Sequence, residues 1–460
     1  MATALGSNLT TYDARGNAVR IAETSALFVL VSVIATIGVV AYMLFLLDPS
    51  HRGDLLPYGM VIVAESILVF QALLSMWTIL ASGYEPRNFE YHDAKRVLLP
   101  HQADGDDTMH IAGTPQLIDV FITVYGEDLA TVRRTIAAAV AMRGAHRTWV
   151  LDDGRSDDVK DVAEQLGAWY VRRLSSNGAK AGNINHALSI AKGDLFAIFD
   201  ADFVPDPDFL VETVPFFAMD NVAFVQTPQA YGNLQTIIAR GAAYMQTVFY
   251  RFVQRGRNRF NAAFCVGTNV IYRRSAIDEI GGIHVDSKSE DVWTALTLHE
   301  RGWRSIYISD VLAWFVVGSF RWETLTLATA SFPIYSKALW NVITGKDVGW
   351  HVTGAGSARS PFNFVVPQVL FFVFLTLTSV VGVARDVQNG QPTLATAWNV
   401  TNTLILALFI AAAAREAWGP SAASVPAAAP EAAPVLRTII ARPPVRAASP
   451  AELTPEGGTA

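Results

Sequence analysis

The stretch Asp194-Leu195-Phe196-Ala197-Ile198-Phe199-Asp200-Ala201-Asp202 decides how the rest of the chain reads. Its middle is a short apolar run rich in aromatic and branched residues, the pattern of a strand buried on both faces. Two carboxylates, Asp200 and Asp202, close the run. A buried sheet has no structural use for them, because an unpaired buried carboxylate is costly. Side chains two apart on an extended segment face the same way, so both acids are expected to reach one hard cation. Mg2+ or Mn2+ suits such a pair, since it takes one or two carboxylates and completes its shell with water and phosphate. That arrangement fits a sugar-nucleotide diphosphate. The plain alternative is a polar exit from strand to loop.

Outward from this strand, residues 83–310 read as an α/β domain in which apolar strands alternate with helical patterns, the signature of a mostly parallel sheet. Residues 117–124 form a first strand, ending at Tyr125-Gly126-Glu127. Residues 129–142 read as a helix, 148–151 as a strand running into Asp152-Asp153-Gly154, 159–166 as a helix and 169–171 as a short strand. A helix over 181–191 leads into the central strand. Ligands of open α/β sheets bind beyond the carboxyl ends of the strands. Three such ends here carry Glu127, Asp152 with Asp153, and Asp200 with Asp202.

The flanks are of another kind. The chain has 460 residues, 51% hydrophobic and only 17% charged, with a mean hydropathy of +0.29, which points to membrane spans. Residues 24–47 carry no charge and exceed the roughly 20 residues that span a bilayer. Residues 58–82 form a second span, interrupted by Glu65, an acid expected to be paired or to face protein at that depth. Residues 363–384 and 397–414 read as two more. Residues 1–23 read as a loose tail or amphipathic lead-in, with no cleavable signal before the first apolar run. Residues 311–360 read as interface-lying helix, and 418–460, rich in Pro and Ala, as disordered. With four spans, both termini and the α/β domain share one side. Arg15, Arg20, Arg87, Lys95, Arg96 and Arg415 flank that side, against Arg52 and Arg385 opposite, which assigns it to the cytoplasm of a cell-membrane protein. A net charge of -6 gives no support to a nucleic-acid partner. The single cysteine, Cys265, excludes an internal disulfide and a Cys-rich metal site.

A series of short motifs runs through the α/β region in a fixed order: Val150-Leu151-Asp152-Asp153-Gly154, Lys180-Ala181-Gly182-Asn183, Phe199-Asp200-Ala201-Asp202, Val225-Gln226-Thr227-Pro228-Gln229, Phe264-Cys265-Val266-Gly267-Thr268-Asn269, then Ser289-Glu290-Asp291 with His299-Glu300-Arg301-Gly302-Trp303. In this order they resemble the membrane-embedded, cellulose-synthase-like glycosyltransferases of family 2, over roughly residues 123–308. The resemblance implies a GT-A-like mixed sheet domain inserted between transmembrane helices. It implies an inverting, metal-dependent transfer from a UDP-sugar to a growing β-linked polysaccharide, with a saccharide or lipid-linked acceptor and the lipid bilayer as partners. The residues it implies for the nucleotide sugar are Thr123, Tyr125, Glu127, Asp152, Asp153, Lys180 and Asp200, and for the metal Asp200 and Asp202. For the acceptor it implies Gln226, Thr227, Gln229, Cys265, Gly267, Thr268 and Glu290, and for the general base Asp291.

Several of these have a physical reading of their own. Asp152 and Asp153 end a strand before a glycine turn, where they can accept hydrogen bonds from a base and ribose; a helix-capping task there falls better to Ser156 or Asp157. Lys180 joins a cation to the small residues and N–H groups of a helix start, which suits a phosphate, or else is a solvated surface lysine. Acids also favour the first turn of any helix, so Glu290 and Asp291 have an ordinary explanation as well. The arginines Arg255, Arg257 and Arg259 fit an acceptor-side or a membrane-interface face equally.

Past residue 308 the chain departs from the family pattern. Processive synthases of the family carry Gln-x-x-Arg-Trp, whereas Arg321-Trp322 follows Val317-Gly318-Ser319-Phe320 with no glutamine. A gating segment survives only in trace, as Trp350-His351-Val352-Thr353-Gly354-Ala355-Gly356, with alanine where the family has lysine. The sequence reads as lacking a block of interfacial and membrane helix. Transfer of one sugar to a lipid or short acceptor, or nucleotide binding without turnover, therefore stand as alternatives to polymer synthesis.

Overall fold

The structure is a computed structural model that describes residues 10–12, 18–20, 26–49, 55–229, 241, 245–246, 248–287, 289–309, 326–327, 329–345, 365–390 and 392–418. Seven strands build the central sheet: β1 Ile118–Val124, β2 Arg147–Asp152, β3 Trp169–Val171, β4 Leu195–Asp200, β5 Val222–Gln226, β6 Val270–Arg273 and β7 Arg304–Tyr307. Their spatial order is β7-β5-β6-β4-β1-β2-β3, so the strand that opened the sequence reading lies in the middle. β1, β2, β3 and β4 pair in parallel, as do β5 and β7, while β6 runs antiparallel between β4 and β5. β6 and β7 are not among the strands expected from the sequence; each is only four residues long, and β6 follows directly on the Phe264–Asn269 motif.

Strand periodicity explains both cores. Leu195, Ala197 and Phe199 of β4 join Ile118, Val120 and Ile122 of β1 on one face, with Val132 and Ile136 of the helix above. Phe196 and Ile198 point to the other face, with Phe121, Leu151, Cys265, Tyr272 and the helix residues Ala181 and Ile184. Asp200 continues the parity of Phe196 and Ile198. It therefore emerges on the face that carries Ala181, beside the start of that helix.

The helices begin where side chains satisfy their first N–H groups. Asp128 accepts from the Thr131 N–H (3.2 Å) to open Leu129–Val140, and Ser156 accepts from the Val159 N–H (3.4 Å) to open Asp157–Gln165. Ala179–Ile190 opens instead on Gly178, whose φ of +70° favours glycine. Glu290–Glu300 precedes β7.

Four described helices are long and apolar enough to cross a membrane, over Val29–Leu47, Tyr58–Gly83, Val366–Asn389 and Thr396–Arg415. The first two pack as a hairpin, in which the Tyr58 hydroxyl donates to the Leu46 carbonyl (2.7 Å) and Glu65 is hydrogen-bonded to Tyr42, the pairing expected of an acid at that depth. The last two are joined by polar contacts, including Ser379 with Thr403 (3.2 Å) and Asn399 Nδ2 donating to Ser379 Oγ (2.9 Å). Helix Phe332–Thr344 packs alongside, with the Phe332 and Phe371 rings 4.7 Å apart. Thr10–Tyr12 and Ala18–Arg20 form a short antiparallel pair, where the sequence reading expected a loose lead-in. Arg321-Trp322, the trace at 350–356 and the tail beyond 418 lie outside the described residues.

Candidate active site

Register brings the acidic strand ends together. β1 places Thr123 opposite Asp200 and Val124 opposite Asp152. Thr123 Oγ1 donates to Asp200 Oδ1 (2.9 Å), and the Asp200 N–H donates to Thr268 Oγ1 (2.9 Å). Lys180, second residue of its helix, forms an ion pair with Asp200 and donates to the Gly267 carbonyl at 2.7 Å. Burial works against the ammonium charge, but the facing carboxylate of Asp200 outweighs it and lifts the lysine pKa above its ordinary value.

The chain turns immediately after Asp200, and the Phe203 N–H closes back on the Asp200 carbonyl (3.0 Å). This corrects the extended picture of the two acids: Asp200 is the last strand residue, and Asp202 stands in an exposed turn. They remain coupled. Burial and then the negative charge of Asp200 push the Asp202 carboxyl up. Glu127 is raised by burial, with Asp202 and Asp200 adding to it, while its carboxylate accepts from the Tyr125 N–H (2.7 Å).

No group of three or more His, Cys, Asp or Glu among the described residues could hold a metal by itself. The donor set still fits Mg2+ or Mn2+. Among the described residues Asp202 has no side-chain partner and Asp200 keeps Oδ2 free of hydrogen bonds, and such a cation draws its other ligands from water and phosphate.

Asp152 and Asp153 are differently placed. Asp152 is 1% exposed and accepts from the N–H groups of Arg155 (3.0 Å) and Ser156 (2.8 Å) and from the Tyr170 hydroxyl (2.9 Å). Asp153 is held by both forks of Arg173, each bond 2.6 Å, with side chains 6% and 9% exposed. The same guanidinium donates to the carbonyls of Asn177 (2.6 Å) and Ala179 (2.7 Å), fixing the turn that presents Lys180. Gly182 is required below it, since a Cβ there would lie 2.1 Å from the Asn177 carbonyl oxygen and 2.7 Å from Arg173 Nη1. Arg173 escaped the sequence reading; its only signal was a basic residue just past a strand end. Asn183, of the same motif as Lys180, donates to the Leu151 carbonyl (3.0 Å) and ties the helix to β2.

Among the residues assigned to the acceptor, Gln226, Thr227, Cys265 and Thr268 are buried beneath the loop and build it. Gln226 Nε2 donates to the carbonyls of Thr227 and Thr268 (both 2.8 Å), and its Oε1 accepts from the Val266 N–H (3.0 Å). Thr227 Oγ1 donates to the Asn269 carbonyl (3.1 Å), and Cys265 Sγ accepts from the Gly267 N–H (3.3 Å). Burial and then the charge of Asp291 push the Cys265 thiol up to about 12, so it remains protonated at neutral pH. Gln229 is only partly buried and donates to the Val266 carbonyl (3.2 Å).

Glu290 and Asp291 occupy the first turn of their helix, half-buried. A Cβ on Gly267, at φ +83°, would lie 3.3 Å from Asp291 Oδ2 and 3.6 Å from Lys180 Nζ. One bare glycine thus borders both the acid and the cation. Asp291 Oδ1 accepts from the Val292 N–H (2.8 Å); burial nevertheless raises the Asp291 pKa, and Glu290 is raised by burial in the same way. Of the three arginines, Arg255 is buried with Nε directed at the Tyr84 carbonyl (3.5 Å), Arg257 lies over the Phe264 ring (5.1 Å), and Arg259 is exposed.

Residues 115–336 match the family described as "Glycosyltransferase like family 2". This region is a GT-A-like mixed α/β domain of that family's type, homologous to cellulose synthase catalytic subunits. The chain is 39% identical over 203 residues to the UDP-forming cellulose synthase catalytic subunit of Pseudomonas fluorescens strain SBW25, covering 42% of this chain and 27% of that protein. It is 33% identical over 272 residues to putative cellulose synthase 2 of Komagataeibacter xylinus, covering 56% and 18%. The chain therefore spans about a quarter or less of the length of these relatives. A mannosyltransferase, PcManGT from Pyrobaculum calidifontis, solved with GDP-Man and Mn2+, aligns over 75% of this chain and 99% of its own at 17% identity, with a TM-score of 0.37.

Proposed function

We propose that this protein is a membrane-bound inverting glycosyltransferase that moves a sugar from a UDP-sugar onto the end of a β-linked polysaccharide. The observation that carries this reading is the meeting of Lys180, Asp200, Gly267 and Asp291 at the carboxyl end of the central strand. Homology to cellulose synthase catalytic subunits supports the donor and product class.

In this reading Asp291 takes the proton from the acceptor hydroxyl as its oxygen attacks the anomeric carbon and the bond to UDP breaks. A pKa raised by burial makes it a stronger base than an ordinary aspartate. With one base and no carboxylate nucleophile, the transfer is a single displacement and inverts the anomeric centre. Lys180 stabilises the departing diphosphate. Asp200 and Asp202 would hold Mg2+ or Mn2+, whose chemistry is to neutralise the same phosphate charge. Glu127, Tyr125 and Thr123 border the nucleotide, Asp152 and Asp153 shape its floor with Arg173, and Gln229 and Glu290 face the acceptor.

The absent glutamine before Arg321-Trp322 favours a second reading, in which a single sugar passes to a short or lipid-linked acceptor. A radiolabelled transfer assay on purified membranes, run across several UDP-sugars with product size measured, tests both. Long β-linked product is expected. Product of one added sugar gives the second reading, and UDP binding with no transfer at all overturns both.

A further inference from the structure

Lys180 and a divalent cation need the same carboxylate. The ammonium is bonded to Asp200 Oδ1, where Thr123 Oγ1 also donates (2.9 Å), and it is tethered on its other side to the Gly267 carbonyl (2.7 Å). Its side chain is 24% exposed, so the pair lies at the rim of the site and within reach of an arriving ligand. We propose that Lys180 is a resident counter-ion that holds the metal's place at Asp200, so that metal and nucleoside diphosphate load together. This rests on the reading of Asp200 and Asp202 as the metal pair.

The physical reason is charge balance. A bare divalent cation approaching Asp200 meets an ammonium already bound to it, and like charges at this range oppose each other strongly where water is partly excluded. Asp200 Oδ2 stays open, but the ammonium already balances that carboxylate's charge. The uncompensated charge left for the cation is that of Asp202, in an exposed turn where a single carboxylate binds weakly. A diphosphate changes the balance, because its oxygens are acceptors for both cations. The lysine stem is flexible, and its head carries three donors that can exchange a carboxylate for a phosphate without giving up the Gly267 carbonyl. Gly267 keeps the space between the ammonium and Asp291 free of a side chain, since a Cβ would press on Asp291 Oδ2 at 3.3 Å and touch Lys180 Nζ at 3.6 Å. Asp200 is then released toward the metal at the moment the phosphate arrives.

The test measures Mn2+ binding to the full chain in detergent by electron paramagnetic resonance, with and without UDP. Wild type should bind Mn2+ weakly alone and tightly with UDP. Lys180→Gln is neutral but can still donate to both oxygens, so it should bind Mn2+ alone at least about tenfold tighter than wild type. Lys180→Arg keeps the charge and should bind Mn2+ alone as weakly as wild type. The proposal is overturned if Lys180→Gln binds Mn2+ alone no tighter than wild type while wild type keeps its UDP-dependent binding. Without any variant, wild type binding Mn2+ equally well with and without UDP overturns it too. Wild type that binds UDP but never Mn2+ removes the metal pair itself, and the proposal with it.

Discussion

Asp291 has two reasons to stand in the first turn of its helix, and they differ in consequence. As a complement to the helix dipole it would contribute about 0.3–1 kcal/mol of stability and nothing to turnover. As a base bordering Gly267 and Lys180 it would control the rate. Asp291→Asn keeps the size and most hydrogen bonds but not the basicity, so sugar transfer should fall by roughly 10²–10⁴ while UDP affinity holds. Equal rates in the two proteins would reduce Asp291 to the dipole role. The pH profile offers a separate check. Protonation removes the base as pH falls, and burial raises the Asp291 pKa. The acid limb of the rate should therefore lie above the ordinary aspartate value of about 3.9.

At the scale of elements, the end of the second apolar helix is locked to the α/β domain through one glycine. A Cβ on Gly256 would lie 1.8 Å from the Thr78 carbonyl oxygen and 2.6 Å from its carbon, and both are backbone atoms that cannot swing aside. Trp77 stacks on Phe260 beside this contact, with ring centroids 6.3 Å apart. The segment fixed in this way runs into the loop at 264–269, because Gln254 Nε2 donates to the Phe264 carbonyl (2.8 Å). Gly256→Ala should force the helix and the domain apart at a cost of about 1–3 kcal/mol or more, seen as a lower melting temperature in detergent. Gly59→Ala, in the same helix with nothing within 4 Å, should not destabilise. Equal melting of the two variants would mean that the Gly256 contact is not maintained in solution.

For the molecule as a whole, four helices among the described residues are long and apolar enough to cross a membrane, and they flank the α/β domain in two pairs. If all four cross, the chain returns to its starting side, and from the surplus of Arg and Lys near that side we propose that it is cytoplasmic. A periplasm-active reporter fused after Ala414 should stay silent. Strong external activity there would require an odd number of spans and would direct attention to residues 311–331.

The sequence by itself determined the central strand, the three strands that precede it in the chain, the acidic ends of the first two and of the central one, and the four apolar helices, because each is written in local periodicity and turn chemistry. Even Lys180 was legible as a helix start, from the glycines around it. Tertiary structure alone decided what each acid is engaged with. Asp153 and Asp152 read like Asp200 and Asp202, yet a guanidinium twenty residues on and two N–H groups engage them, and a sequence carries no mark of such pairing. Gln226, Thr227, Cys265 and Thr268 look like a binding loop, but they are its buried scaffold, since the antiparallel β6 draws the loop down against β5. The approach of Asp291 to Lys180 joins segments more than a hundred residues apart. Periodicity fixes which face a side chain takes, whereas only packing fixes what it meets there.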